Sequence, residues 1–332
     1  MKWSLKIWRL NMSKIFIWLL LISILIISPF LGAVSLNISD IFSSDSLQHS
    51  IFFDLRVPRV AFAFFAGSIL ALSGLLFQTL FRNALMTPYT LGISSGAVLG
   101  AGIAIKLGLG TLAFGIATIS MFGFLGAMLT ILLLIYLAKF LKNSHYESLL
   151  LLGIALSLFY TSALMVLFYL GSTMQNDMLL RFTMGSLSVI GWMHPITIGI
   201  ISFILFLSIY IYRYELQLLS ISDESATLRG VDTKRVTLIL LIVSSFAIGT
   251  LVSISGPIGF VGLIVPHIVS KLYPLTVNRR ITKTALFGGF FLVFCDTITR
   301  ALQTQSELPI GIVTALIGGP FFIYLIISRS KI

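Results

Sequence analysis

Long apolar runs separated by short polar breaks repeat along the whole of this chain. The runs fall near residues 15–34, 60–80, 90–107, 112–138, 148–170, 192–212, 236–255, 258–275, 284–302 and 309–328. Each is close to the roughly 20 mainly apolar residues that a helix needs to cross a bilayer. The pattern predicts an all-α, polytopic membrane protein with about ten transmembrane helices, residues 1–332 forming one transmembrane domain. Glycine-rich runs such as "LGISSGAVLGAG" (91–102) suit helices that approach closely in lipid. Pro- and Gly-rich lead-ins, "TPYTLGISSG" (87–96) and "SGPIGFVGLIVPH" (255–267), occur once in each half. Four runs follow Arg56 before the sixth, and four follow Arg235. That spacing suggests two four-helix halves related as inverted repeats, a common transporter plan.

Composition sharpens this reading. Only 10% of the 332 residues are charged and 58% are hydrophobic, and the mean hydropathy is +1.06. A soluble chain would carry roughly 25% charged residues. The net charge of +11 does not mark a nucleic-acid binder, because the basic residues sit in the breaks between runs rather than on one solvated patch. With the N-terminus inside, all but five of the 22 lysines and arginines fall on the inner side; the exceptions are Arg56, Arg59, Lys106, Arg181 and Arg300. This bias predicts both termini in the cytoplasm. The basic start and "GAVS" (32–35) loosely resemble a secretory signal, but the apolar run is long for one, so it is expected to remain as the first helix.

The chemistry of an enzyme is missing. No glycine precedes a lysine, so there is no phosphate-binding loop and no ATP hydrolysis by that route. The four histidines have no paired metal spacing, and the single Cys295 reads as a small packing residue. No cofactor is expected in this chain. His267, beside Pro266, is expected to bond the carbonyl that the proline frees. Asp296 is the one carboxylate well inside a run, with Arg300 four residues on, and reads as a satisfied i,i+4 pair rather than a proton relay. A proton-coupled secondary transporter working through Asp296 is the alternative from another class, and a membrane scaffold that transports nothing is a third. The scarcity of intramembrane charge instead favours energy supplied by another subunit.

One inner segment differs from the rest. "YELQLLSISDESATLRGVDTKRV" (214–236) is the longest polar interruption and carries both signs of charge. Within it, "SDESATLRG" predicts a short helix with Ser222 as N-cap, Asp223 and Glu224 in the first turn and Gly230 at the stop. Ala226, Leu228 and Val231 would give it a small apolar surface for a partner; a solvated linker between bundles is the plainer reading.

Several stretches, in order, carry a resemblance: "RVPRV" (56–60), "SGLLFQTLFRNALMTPYTLGISSGAVLGA" (73–101), "SDESATLRGVDTKRV" (222–236), "SGPIGFVGLIVPHIV" (255–269) and "LPIGIVTALIGGPFFIYLI" (308–326). Together they resemble the FecCD family, the permease subunits of ABC importers for iron-siderophores, haem and vitamin B12. The resemblance implies ten transmembrane helices in a bacterial inner membrane and a second permease subunit, identical or not. It also implies two cytoplasmic ATPases that hold ATP and Mg, and a periplasmic or lipid-anchored binding protein. Asp223, Glu224, Ala226, Leu228 and Gly230 match the family's ATPase-coupling helix. Arg56, Arg59 and Arg300 match its outward arginines, which pair with carboxylates of the binding protein. Lipid-phosphate anchoring is the plainer reading of Arg56 and Arg59. The inner loop "KFLKNSHYE" (139–147) matches the region of the cytoplasmic gate, with Asn143 and Ser144 as its candidates. "RNALMTP" stands where the family usually reads "RNPLADP", and Lys271 where an arginine is common. The expected cargo is an iron chelate, siderophore or haem, with cobalamin as the alternative.

Overall fold

The computed structural model describes residues 18–32, 34, 37–43, 47–109, 118–140, 146–302 and 307–329. Its elements are α1 (Trp18–Phe30), α2 (Val57–Leu80), α3 (Ile93–Lys106), α4 (Thr118–Ala138), α5 (Tyr146–Leu170), α6 (Thr173–Met184), α7 (Met193–Ile211), α8 (Arg213–Leu219), α9 (Asp223–Leu228), α10 (Thr233–Ser255), α11 (Val261–Leu272), α12 (Val277–Ala301) and α13 (Ile310–Arg329). Every predicted apolar run contains one of these helices. Six are long and apolar enough to cross a membrane, and four shorter apolar helices accompany them.

Two of the short helices mark the Pro/Gly lead-ins. α3 has 14 residues and α11 has 12, about 21 and 18 Å at the α-helical rise, less than the hydrocarbon thickness. Residues 81–92 form turns instead of helix, ending at Gly92 with φ +78°. Residues 256–260 are likewise non-helical, with Gly256 at φ +68°. The two breaks touch: the Ile258 amide donates to the Tyr89 hydroxyl at 2.6 Å. Irregular backbone buried within a membrane protein is stable only when its polar groups find partners inside the protein, as here.

α2 is the most deeply buried of the long helices, packed against α7, α10, α11 and α12. Small residues set these distances. A Cβ on Gly74 would lie 1.8 Å from the Gly262 carbonyl oxygen of α11, and one on Gly67 would lie 2.1 Å from that of Gly288 on α12. Backbone opposes backbone at both crossings, so neither neighbour can yield by a side-chain rotation. Gly74→Ala is expected to cost about 1–3 kcal/mol of overpacking, read as a lower unfolding temperature in detergent; an unchanged temperature would show that the helices can separate freely.

Prolines expose carbonyls, and tertiary donors replace the missing bonds. Pro58 cannot serve the Asp54 carbonyl, which instead accepts from the Gly191 amide at 2.8 Å. Residues 51–56 form a wide π turn, with Val57 N–H on the Phe52 carbonyl, so the helix of α2 starts before the apolar run that marks it in sequence. Pro266 likewise frees the Gly262 carbonyl. His267 was expected to serve it; Gln78 of α2 does so, at 3.1 Å. The correction is geometric: the carbonyl faces α2 across the Gly74 crossing, where a long amide reaches it. The His267 ring packs edge-on against Phe321 instead.

Candidate functional site

The two charged clusters singled out in the sequence lie at opposite ends of α2, about 36 Å apart by the helical rise over 24 residues.

At the first end, Arg59 follows Pro58 in the first turn of α2, and Asp296 and Arg300 occupy the last turns of α12. Arg59 Nε donates to Asp296 Oδ1 at 2.9 Å, and Arg300 Nε donates to Asp296 Oδ2 at 2.9 Å. Asp296 is fully buried, with one guanidinium on each oxygen. The expected i,i+4 pair is present, and Arg59 completes it from another helix. Arg59 Nη1 also reaches Glu307 Oε1 at 2.9 Å, ahead of α13. Arg300 turns its other nitrogens to the C-terminal end of α1: to the carbonyls of Ser28 at 2.9 Å and Leu31 at 2.8 Å, and to Ser28 Oγ at 2.6 Å. Arg56 donates to the carbonyls of Pro29, Phe30 and Val34. Its guanidinium lies against Gly32, where a Cβ would come within 3.0 Å. Two arginines therefore satisfy the last carbonyls of α1, which a helix end otherwise leaves unserved.

The arginines expected to form an open cationic socket are drawn inward in this chain. Arg56, Arg59 and Arg300 are 7%, 8% and 5% exposed, and each is engaged within the chain. Arg59 borders a cleft of about 150 Å³, lined also by Arg181, Ser186, Glu307 and Pro309. Sequence reasoning missed Glu307 and Ser28. Both lie in short polar breaks, more than 200 residues from at least one partner, and nothing local in the sequence pointed to them.

At the second end, α9 forms as the sequence predicts. Ser222 Oγ accepts from the Ser225 amide at 3.0 Å, and Asp223 and Glu224 fill the first turn. The Gly230 amide donates to Thr227 O at 2.9 Å and the Val231 amide to Ala226 O at 3.1 Å, with Gly230 at φ +82°. These two bonds make a Schellman stop, whose left-handed position suits glycine. The expected apolar surface does not hold as drawn. Ala226 is fully buried while Leu228 is 88% exposed. A six-residue helix held by its neighbours must turn one face inward, and Ala226, small enough to sit flat, takes that face. Glu224, Thr227 and Arg229 share the exposed face with Leu228. Asp223 is tied back to Arg82, just past the end of α2, at 3.2 Å. Asn143 and Ser144 lie outside the described residues. Among the described residues no cluster of His, Cys, Asp or Glu is arranged to hold a metal ion.

The FecCD transport family model matches residues 19–328. The haemin transport permease HmuU of Yersinia pestis is 33% identical, the alignment covering 95% of each chain. The vitamin B12 import permease BtuC of Pectobacterium atrosepticum is 33% identical over 86% of this chain and 85% of its own. A solved metal-chelate type ABC transporter in an inward-facing conformation superimposes with a TM-score of 0.83 and 29% identity, covering 93% of this chain and 97% of its own. With ten apolar helices among the described residues and a match over nearly the whole length, the chain belongs to the FecCD transport family and is an integral, multi-pass permease of an ABC importer.

Proposed function

We propose that this permease carries an iron chelate, haem or a ferric siderophore, across a bacterial inner membrane with both termini in the cytoplasm. A second permease subunit completes the pathway, two ATPases drive it and a substrate-binding protein feeds it. The observation that carries the energy-coupling part is α9: a helix capped at both ends, tied to α2 through Asp223–Arg82 and presenting Leu228 outward. Such a helix can pass a push from a bound partner to the most deeply buried helix of the bundle. The haemin relative supports the cargo class, and the vitamin B12 relative keeps cobalamin as the alternative. α5, with Leu158, Phe159 and Tyr169 exposed, offers apolar surface for lipid or the second subunit.

At the other end, the reading of Arg56 and Arg300 as contacts for the binding protein gives way to a tie between α1, α2 and α12. Arg59 keeps the docking role, with an incoming carboxylate displacing the half-exposed Glu307. Proteoliposomes holding the permease, its ATPase and its binding protein test the reading. Haem or siderophore uptake should require ATP and survive a protonophore; uptake that collapses with the proton gradient would favour a proton-coupled carrier.

A further inference from the structure

A cavity of about 350 Å³ lies beside the second end of α2, between the start of α12, the end of α11 and the segment leading into α9. Gln78, Thr79, Arg82, Ser220, His267, Ser270 and Arg280 contribute its polar wall, and no carboxylate is among its lining residues. Two features of that wall are unresolved by the chain itself. Arg280 makes no ion pair among the described residues, and its Nε is shielded from solvent without a hydrogen-bond partner. Arg280 as a whole is half-buried, but a shielded N–H donor left unserved is costly. Second, α12 begins at this wall: its first residue, Val277, lines the cavity. Its N-cap, Thr276, gives its hydroxyl to Asn278 Oδ1 and accepts from no backbone amide of the first turn, which carries no acid. Arg279 and Arg280 thus stand where the helix dipole disfavours cations. One group answers both needs: an anion with several acceptor oxygens, seated between the helix start and the arginine.

We propose that this cavity binds a phosphate group, carried either by an anionic lipid headgroup or by a soluble phosphate. Basic hollows between membrane helices on the side that charge counting assigns to the cytoplasm are suited to phospholipid headgroups, and the same donors would hold free phosphate. Arg82 lines the cavity and also holds Asp223, so occupancy would adjust how firmly α9 is tied to α2. That consequence rests on the coupling role of α9 proposed above; binding itself does not.

The test uses the full-length protein in two preparations. In nanodiscs of phosphatidylcholine alone, inorganic phosphate is titrated against the unfolding temperature, with chloride at matched ionic strength as the reference. From mixed membranes, native mass spectrometry counts phosphatidylglycerol retained after detergent extraction. A saturable phosphate response identifies a soluble ligand, and retained phosphatidylglycerol without that response identifies the headgroup. Arg280→Gln should weaken whichever is seen by about tenfold, the loss of a charged hydrogen bond, and Arg280→Lys by less. Ala84→Glu, which places a carboxylate in the cavity wall, should abolish binding and serves if Arg280→Gln does not fold. Absence of both signals in the wild type, or signals untouched by the variants, would overturn the proposal.

Discussion

Asp296→Ala is expected to cost about 3–5 kcal/mol, the range for breaking a buried ion pair from one side. The size follows from what remains. Arg59 and Arg300 lose the carboxylate between them, and their side chains, 10% and 5% exposed, have little water to replace it. Two like charges would then face each other across a cavity. Glu307→Gln, in contrast, should cost only about 0–1 kcal/mol, because a pair with one solvated partner contributes little; the Glu307 side chain is 42% exposed. Cys295, the chain's single cysteine, is fully buried next to Asp296 and gives a local readout. In Asp296→Ala its labelling by a thiol reagent should accelerate by about 100-fold, the factor that 3 kcal/mol of easier opening provides. Labelling at the wild-type rate, with an unchanged unfolding temperature, would mean that the cluster holds nothing together. Asp296 is also the residue on which a proton-relay reading depended. With both oxygens bonded and no exposure, it is built as a clamp joining α2, α12 and the end of α1.

The contrast between the two ends of α2 shows what a sequence can carry. α9 was legible in detail because caps and stops are local: Ser222, the paired acids and Gly230 sit within nine residues and fold on each other. The ten apolar runs were legible because the bilayer imposes a length. The arginine cluster was not. Whether Arg56 and Arg59 face solvent depends on Pro29, Phe30, Asp296 and Glu307, which approach only after the bundle has packed, and charge counting treats a buried cation and an exposed one alike. The same limit explains Ala226 and His267. Residue type marked both as available for contact, but the face turned inward was chosen by neighbours far along the chain, Gln78 in the case of Pro266. α6 and α8 were missed for a simpler reason. Helices of 12 and 7 residues with mixed polarity leave no apolar run to find.

Leu228→Asp is expected to lower ATP-driven uptake by about tenfold or more while leaving the permease itself as stable as the wild type. A side chain 88% exposed contributes almost nothing to folding, whereas a charge placed in an apolar contact with a partner must be desolvated without a mate, at about 2 kcal/mol or more. Asp223 provides the complementary test, since it acts within the chain. Asp223→Arg breaks the 3.2 Å bond to Arg82 and sets two cations together, so the push on α9 would no longer reach α2. Uptake should fall although Leu228 remains as exposed as before. Pairing it with Arg82→Asp restores opposite charges in the same place, and uptake should return in the double variant. Such recovery is the signature of a direct interaction, because independent defects would add. If the double variant were as inactive as the sum of the singles, Asp223 and Arg82 would act separately, and the path from α9 to the bundle would have to run through Ala226 and its buried neighbours instead.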